Sequence, residues 1–171
     1  MVELSSLHSR VGKITIPPKF GLIPHSVSLP VTNLRAEPSL PSHRLALEFV
    51  PATPLEYLER WIAANEVFDD DVMLAAVIEW ADGQVSFGIT QPHYHGEPAA
   101  FREIEHFFEA AGWTRLPDLS GHTLFFNYAF QVLAIDALPR NCYVHGGALL
   151  PFDVILCRPN EELEKLLNLY P

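Results

Sequence analysis

Val132-Leu133-Ala134-Ile135-Asp136-Ala137-Leu138-Pro139-Arg140-Asn141, followed across Cys142-Tyr143-Val144-His145-Gly146-Gly147 by Ala148-Leu149-Leu150-Pro151-Phe152-Asp153-Val154-Ile155, decides how the rest of the chain is read. Short apolar runs bounded by turn residues read as strands, and the Gly-Gly pair folds two of them into a hairpin. A carboxylate stands at the end of an apolar run in each half. An unpaired carboxylate in such surroundings is costly, so Asp136 and Asp153 are expected to be held by a partner or a metal. Asp also commonly caps turns and strand ends, which is the bland reading of either residue alone.

Outward from this unit the pattern alternates between strands and helices. Seven of the fifteen prolines fall before residue 53, which excludes a long helix there; Val11 to Ile16 and Leu45 to Val50 are expected strands, and Ser26 to Ser42 an extended excursion. Thr53-Pro54-Leu55-Glu56 predicts a capped helix running to about Asn65, with Leu55, Leu58 and Ile62 on its buried face. Asp69, Asp70 and Asp71 read as a solvated turn. Val72 to Trp80 and Val85 to Thr90, joined through Asp82-Gly83, predict a hairpin. Pro98 to Ala111 predicts a second helix with Phe101, Ile104 and Phe108 inward and Gly112 as its stop. Strands are then expected at Leu124 to Phe126, Tyr128 to Ile135, Cys142 to Val144 and Ala148 to Leu156. A last helix opens at Pro159-Asn160.

The 171 residues suit one domain, and 49% hydrophobic with 19% charged residues is the balance of a folded globule. No apolar run is long enough to span a membrane, and the first residues lack the apolar core of a signal peptide, so a cytoplasmic location is expected and no membrane partner. Cys142 and Cys157 lack the spacing of a zinc site or a disulfide framework and read as buried thiols. Eleven basic against 21 acidic residues leave a net charge of −10, with only Lys13, Lys19 and Lys165 as lysines; no basic stripe exists to bind nucleic acid. An anionic small molecule is still possible where a divalent cation supplies the positive charge.

Asp136, then Asn141 five residues on, then Asp153 beyond a hairpin, is an arrangement that phosphoryl transfer uses. The first Asp orients an acceptor hydroxyl, while Asn and the second Asp hold Mg²⁺ against nucleotide phosphates. That chemistry also needs a strand lysine that grips the phosphates and a helix glutamate that holds the lysine. Lys13 lies in the β-like run Arg10 to Ile16, and Glu59 lies in the first predicted helix.

Four segments together resemble the serine/threonine/tyrosine kinase-like domain of bacterial and phage polyvalent proteins. They are Gly12-Lys13-Ile14-Thr15 with Lys19-Phe20-Gly21; Pro54 to Arg60 with Asn65 to Asp70; Ile89-Thr90-Gln91-Pro92; and Asp136 to Asn141 with Pro151 to Ile155. The resemblance covers nearly the whole chain. It implies an α+β fold, a reduced two-lobed protein-kinase-like architecture with a small β-rich N-lobe over about residues 1–91 and a minimal C-lobe over about 92–171. It implies ATP and Mg²⁺ as cofactors and a hydroxyl acceptor, on a protein or a small molecule, as partner. Lys13 would touch phosphates and pair with Glu59; Asp136 would be the catalytic base; Asn141 and Asp153 would hold the metal; and the backbone at Thr90 and Gln91 would border adenine.

The chain departs from the family in three places. Gly12 is the one glycine before Lys13, so a glycine-rich phosphate lid is missing; Ala134 stands where many kinases have His; and Asp153 is followed by Val-Ile, not Phe-Gly. These departures also fit a catalytically silent interaction module, a pseudokinase. His93-Tyr94-His95, with Glu97 near, supports a third reading, since His-x-His on a strand of a β-barrel can begin a metal site.

Overall fold

The computed structural model describes residues 10–30, 43–119 and 121–170. Among these residues it is a mixed α+β fold of four small antiparallel sheets and three helices. The elements run β1 (Arg10–Ile14), β2 (Leu22–Pro30), β3 (His43–Pro51), α1 (Pro54–Phe68), β4 (Met73–Glu79), β5 (Val85–Pro92), β6 (Glu97–Pro98) and α2 (Phe101–Ala110). Then follow β7 (Thr114–Leu119), β8 (His122–Asn127), β9 (Val132–Ile135), β10 (Cys142–His145), β11 (Ala148–Pro151), β12 (Ile155–Cys157) and α3 (Glu161–Leu167). The strand orders are β1-β5-β4, β2-β3, β11-β10-β6 and β12-β9-β8-β7.

Local chemistry explains most element ends. Thr53 Oγ1 accepts from the Glu56 N–H at 3.3 Å while Glu56 Oε2 accepts from the Thr53 N–H at 2.7 Å, the reciprocal capping that the sequence predicts. Asn160 caps α3 by accepting from the Leu163 N–H at 2.9 Å. The β4–β5 turn places Gly83 at φ 80°, and Asp82 Oδ1 accepts from the Gln84 N–H at 3.0 Å. Gly112 ends α2 at φ 80°.

Several expectations fail for identifiable reasons. Ser26 to Pro30 belongs to β2, because Pro24 and Pro30 are tolerated in a two-stranded sheet whose outer side is open; residues 31–42 of the expected excursion lie outside the described residues. Tyr128 to Gln131 forms the turn between β8 and β9, Asn127 Oδ1 accepting from the N–H groups of Ala129 and Phe130. The run from Ala148 to Leu156 is broken by a bend at Asp153. Strand β7, with its internal Pro117, was not anticipated at all; it lies at a sheet edge, where a missing N–H is tolerated.

The largest correction concerns α1. Its buried residues are Tyr57, Trp61, Ala63 and Ala64, whereas Leu55 and Ile62 are 64% and 53% exposed. The aromatic side of the helix, not the leucine stripe, packs inward: Tyr57 lies parallel to Phe87 of β5, with Phe20 against both rings. In α2, Ile104 and Phe108 are buried as expected but Phe101 in the first turn is exposed.

The larger buried cluster joins Phe20, Tyr57, Trp61 and Ile89 to Phe108, Phe125 and Leu156, so one core crosses the point near residue 91 where two lobes were expected to meet. Its centre is Phe108, fully buried and stacked on Phe125 with ring centroids 4.5 Å apart. Phe108→Ala is expected to lower unfolding free energy by about 3–5 kcal/mol, and Leu55→Ala by less than roughly 0.5 kcal/mol, as read from urea denaturation midpoints.

Candidate functional site

Strand β1 pairs antiparallel with β5, placing Lys13 opposite Ile89 and turning its side chain toward α1. There the Lys13 ammonium lies over the Trp61 ring at 5.3 Å, and on the same ring the Arg60 guanidinium sits at 4.9 Å. Two cations this close need an anion. Asp153, in the bend between β11 and β12, provides it: its Oδ1 lies 3.5 Å from Lys13 Nζ and 3.0 Å from Arg60 Nη2, which also donates to the Asp153 carbonyl at 2.9 Å. Burial pulls the Arg60 guanidinium below its ordinary value, and Asp153 first, then Tyr57 and Asp136, oppose that shift. These contacts join residues 140 and 93 positions apart.

A second group sits beside the first. Asp136 follows β9 at φ 62°, a left-handed conformation that Asp tolerates better than most residues. Its carbonyl and Oδ2 accept from the Asn141 side-chain amide at 2.7 and 2.8 Å, and its Oδ1 accepts from Arg140 Nη2 at 2.6 Å. The Asn141 carbonyl in turn accepts from the Phe152 N–H at 3.0 Å, which ties the Asp136 loop to the residue preceding Asp153. Lys13, Asp136, Asn141 and Asp153 therefore belong to one connected region.

Glu59 does not join it. Among the described residues its carboxylate makes no ion pair, and it lines a cleft of about 190 Å³ with His25, Arg158 and Asn160. The expected Lys13–Glu59 pair is replaced by Lys13–Asp153. Helix geometry gives the reason: with Tyr57 and Trp61 inward, Glu59 lies about 200° around the helix from each, while Arg60 is only about 60° from Tyr57. Arg60 is the residue that sequence reasoning missed. Its neighbours in sequence are Glu59 and Trp61, and nothing in that order tells which side of the helix faces the lysine.

Thr90 and Gln91 close β5. The Thr90 hydroxyl and carbonyl accept from Arg10 at 3.3 and 3.1 Å. Gln91 is buried, and its side-chain Oε1 has no hydrogen-bond partner among the described residues.

Asp70 was also missed. Read from the sequence as part of a solvated turn, it is only 4% exposed, and its carboxylate accepts a hydrogen bond from the Tyr94 hydroxyl. Burial pushes its pKa up to about 6, against the smaller opposing effects of the Tyr94 bond and the Lys13 charge. The backbone twists through left-handed Asp69 and Asp71 on either side, and Asp71 remains outside, paired with Arg10 at 2.6 Å. Composition alone does not distinguish three consecutive aspartates.

The His93 and His95 rings lie 4.0 Å apart, but beyond the end of β5 and, among the described residues, in no strand of a barrel. Among the described residues no three His, Cys, Asp or Glu side chains come together as metal ligands. Gly96 follows them, where a Cβ would meet the Val144 carbonyl oxygen at 2.5 Å, so this loop is pinned against β10 by close backbone approach. Cys142 and Cys157 are buried thiols whose pKa values burial pushes up to about 12. Among the described residues no helix is long and apolar enough to cross a membrane.

Comparison of the chain with protein-family models, with curated proteins and with solved structures found no match.

The raised pKa of Asp70 has a sign. Between its ordinary value of 3.8 and about 6 the folded protein holds the proton more tightly than the unfolded chain, so this group's contribution to stability falls as pH rises through that window. Asp70→Asn keeps an acceptor for Tyr94 and removes the titration. Relative to this variant, the native chain is expected to lose stability between pH 4 and pH 6, measured by urea midpoints; parallel pH profiles would contradict the assignment.

Proposed function

We propose that the chain is a kinase-like domain that binds Mg-ATP between sheet β1-β5-β4 with α1 on one side and the Asp136 to Asp153 unit on the other. The observation that carries this reading is the contact of Lys13 with Asp153, next to an Asn141 amide spent on Asp136. Supporting it is the chain order of the parts: lysine strand, helix, hairpin, Asp, Asn, hairpin, Asp.

The donor set suits a hard cation. The Asn141 amide nitrogen is committed to Asp136, so its Oδ1 is left to accept or to ligate; Asp153 uses Oδ1 on the two cations and keeps Oδ2. An amide oxygen and a carboxylate oxygen, completed by phosphates and water, are what Mg²⁺ takes. Bound Mg-ATP would supply the phosphoryl group and the charge that draws its oxygens in. Lys13 would hold phosphate oxygens, and Asp136 would orient an acceptor hydroxyl and take up its proton. Thr90 and Gln91 would border the base.

One observation favours a second reading, nucleotide binding without turnover. Glu59 turns away from Lys13, and Arg60 occupies Asp153 in addition to Lys13. A pseudokinase acting as an interaction module would keep the fold and the contacts with this altered wiring.

Thermal denaturation with ATP, with and without Mg²⁺, tests the proposal. At 100 times Kd a ligand adds about 2.7 kcal/mol, roughly 5–10 °C for a chain of this size. The shift is expected only with both ATP and Mg²⁺, and is expected to shrink in Asp153→Asn and Lys13→Met. Asn is preferred to Ala at 153 because it leaves Arg60 an acceptor. Asp136→Asn should bind like the native chain and lose phosphate transfer or hydrolysis; if the native chain also lacks turnover, the pseudokinase reading stands. No shift in the native chain, or an equal one in Asp153→Asn, would refute the nucleotide site.

A further inference from the structure

The cleft of about 190 Å³ that Glu59 borders opens where α1, β2, the end of β12 and α3 meet, and none of Lys13, Asp136, Asn141 and Asp153 lines it. Its floor is apolar: Leu156 and Leu163 are buried and Ile23 is half-buried. Its walls carry both signs of charge. On the α1 wall Glu56 is already spent on the Thr53 N–H and on His25, whereas the Glu59 carboxylate makes no ion pair among the described residues. On the β12 wall Arg158 commits one nitrogen, Nη2, to Glu66. Arg60 also lines the cleft, and its buried Nε has no hydrogen-bond partner among the described residues. A donor left so is costly, and an oxygen brought by a ligand would relieve it.

We propose that this cleft binds a free α-amino acid with an aliphatic side chain. The ammonium would pair with Glu59, the carboxylate would accept from the remaining nitrogens of Arg158 and from Arg60, and the side chain would lie on Ile23, Leu156 and Leu163. Charge decides the class. A simple carboxylate drawn to Arg158 would meet Glu59, and a simple amine drawn to Glu59 would meet Arg158, but a zwitterion finds an opposite charge at each end. It carries no net charge, so the −10 of the chain does not repel it. Size limits the side chain. An apolar cavity of about 150 Å³ takes benzene, so the cleft has room for leucine or methionine and not for a nucleotide.

This proposal does not depend on nucleotide binding, although Arg60 belongs to both places, holding Asp153 through Nη2.

Isothermal titration of the full chain with L-leucine tests it, beside N-acetyl-L-leucine, which lacks the ammonium, and L-leucinamide, which lacks the carboxylate. L-Leucine is expected to saturate the chain below about 10 mM, and each blocked analogue to bind at least about tenfold more weakly. Glu59→Gln should weaken L-leucine at least about tenfold and leave N-acetyl-L-leucine unchanged, while Arg158→Gln should weaken L-leucine and leave L-leucinamide unchanged. A merely structural effect would not sort the probes in this way. Both side chains are exposed, so unchanged circular dichroism would show that the variants fold. Glu109→Gln, on α2 and outside the cleft, should bind like the native chain. A native chain that binds neither L-leucine nor L-methionine, one that binds the blocked analogues equally well, or an L-leucine affinity that both cleft variants leave intact would overturn the proposal.

Discussion

Arg60 is a cation held almost out of water, and the arrangement of the surrounding elements follows from the need to keep an anion beside it. An uncompensated charge in that position would cost several kcal/mol. Asp153 meets the need with both its carboxylate and its backbone carbonyl, and it can do so only if the β11–β12 bend is carried up against α1. The same carboxylate reaches Lys13 on β1. One anion therefore links the first strand, the first helix and the end of the second hairpin. The Trp61 face beneath both cations adds a weaker attraction with a definite direction.

This lock and the aromatic packing of α1 depend on each other. Tyr57 and Trp61 must turn inward for Arg60 to reach Asp153, and the packing of Tyr57 on Phe87 and Phe20, with Trp61 edge-on to Tyr57, supplies the burial that makes the inward turn favourable. The cost falls on the opposite stripe: Leu55 and Ile62 remain open to solvent beside the apolar edge of β4. Glu59 is carried outward by the same rotation. Helix orientation thus decides the ionic cluster and the exposed apolar face together.

The Asp136 loop is held by different means. Its left-handed residue is stabilised by the Asn141 amide, and the Asn141 carbonyl fastens the loop to Phe152, one residue before the anion of the lock. The two groups are therefore joined by one hydrogen bond and one peptide step. For the nucleotide site proposed above, such links would set donor positions before the ligand arrives.

Read alone, the sequence determined the elements whose causes are local. The capping box at Thr53, the Asp-Gly turn and the glycine stop at 112 depend on residues a few positions apart, and each formed where expected; the apolar runs around Asp136 and Asp153 formed strands, though shorter or broken ones. It also marked Lys13, Asp136, Asn141 and Asp153, since polar residues beside apolar runs are conspicuous. What it left open was which way each element turns. Leu55 and Ile62 have as good a claim to the core as Tyr57 and Trp61 by periodicity, and Asp70 differs in no way from Asp69 and Asp71. Those choices were made by contacts between residues far apart in the chain, of which the 93-residue span from Arg60 to Asp153 is the clearest. Local pattern sets the period of a helix or strand; only the packing of distant elements sets its phase.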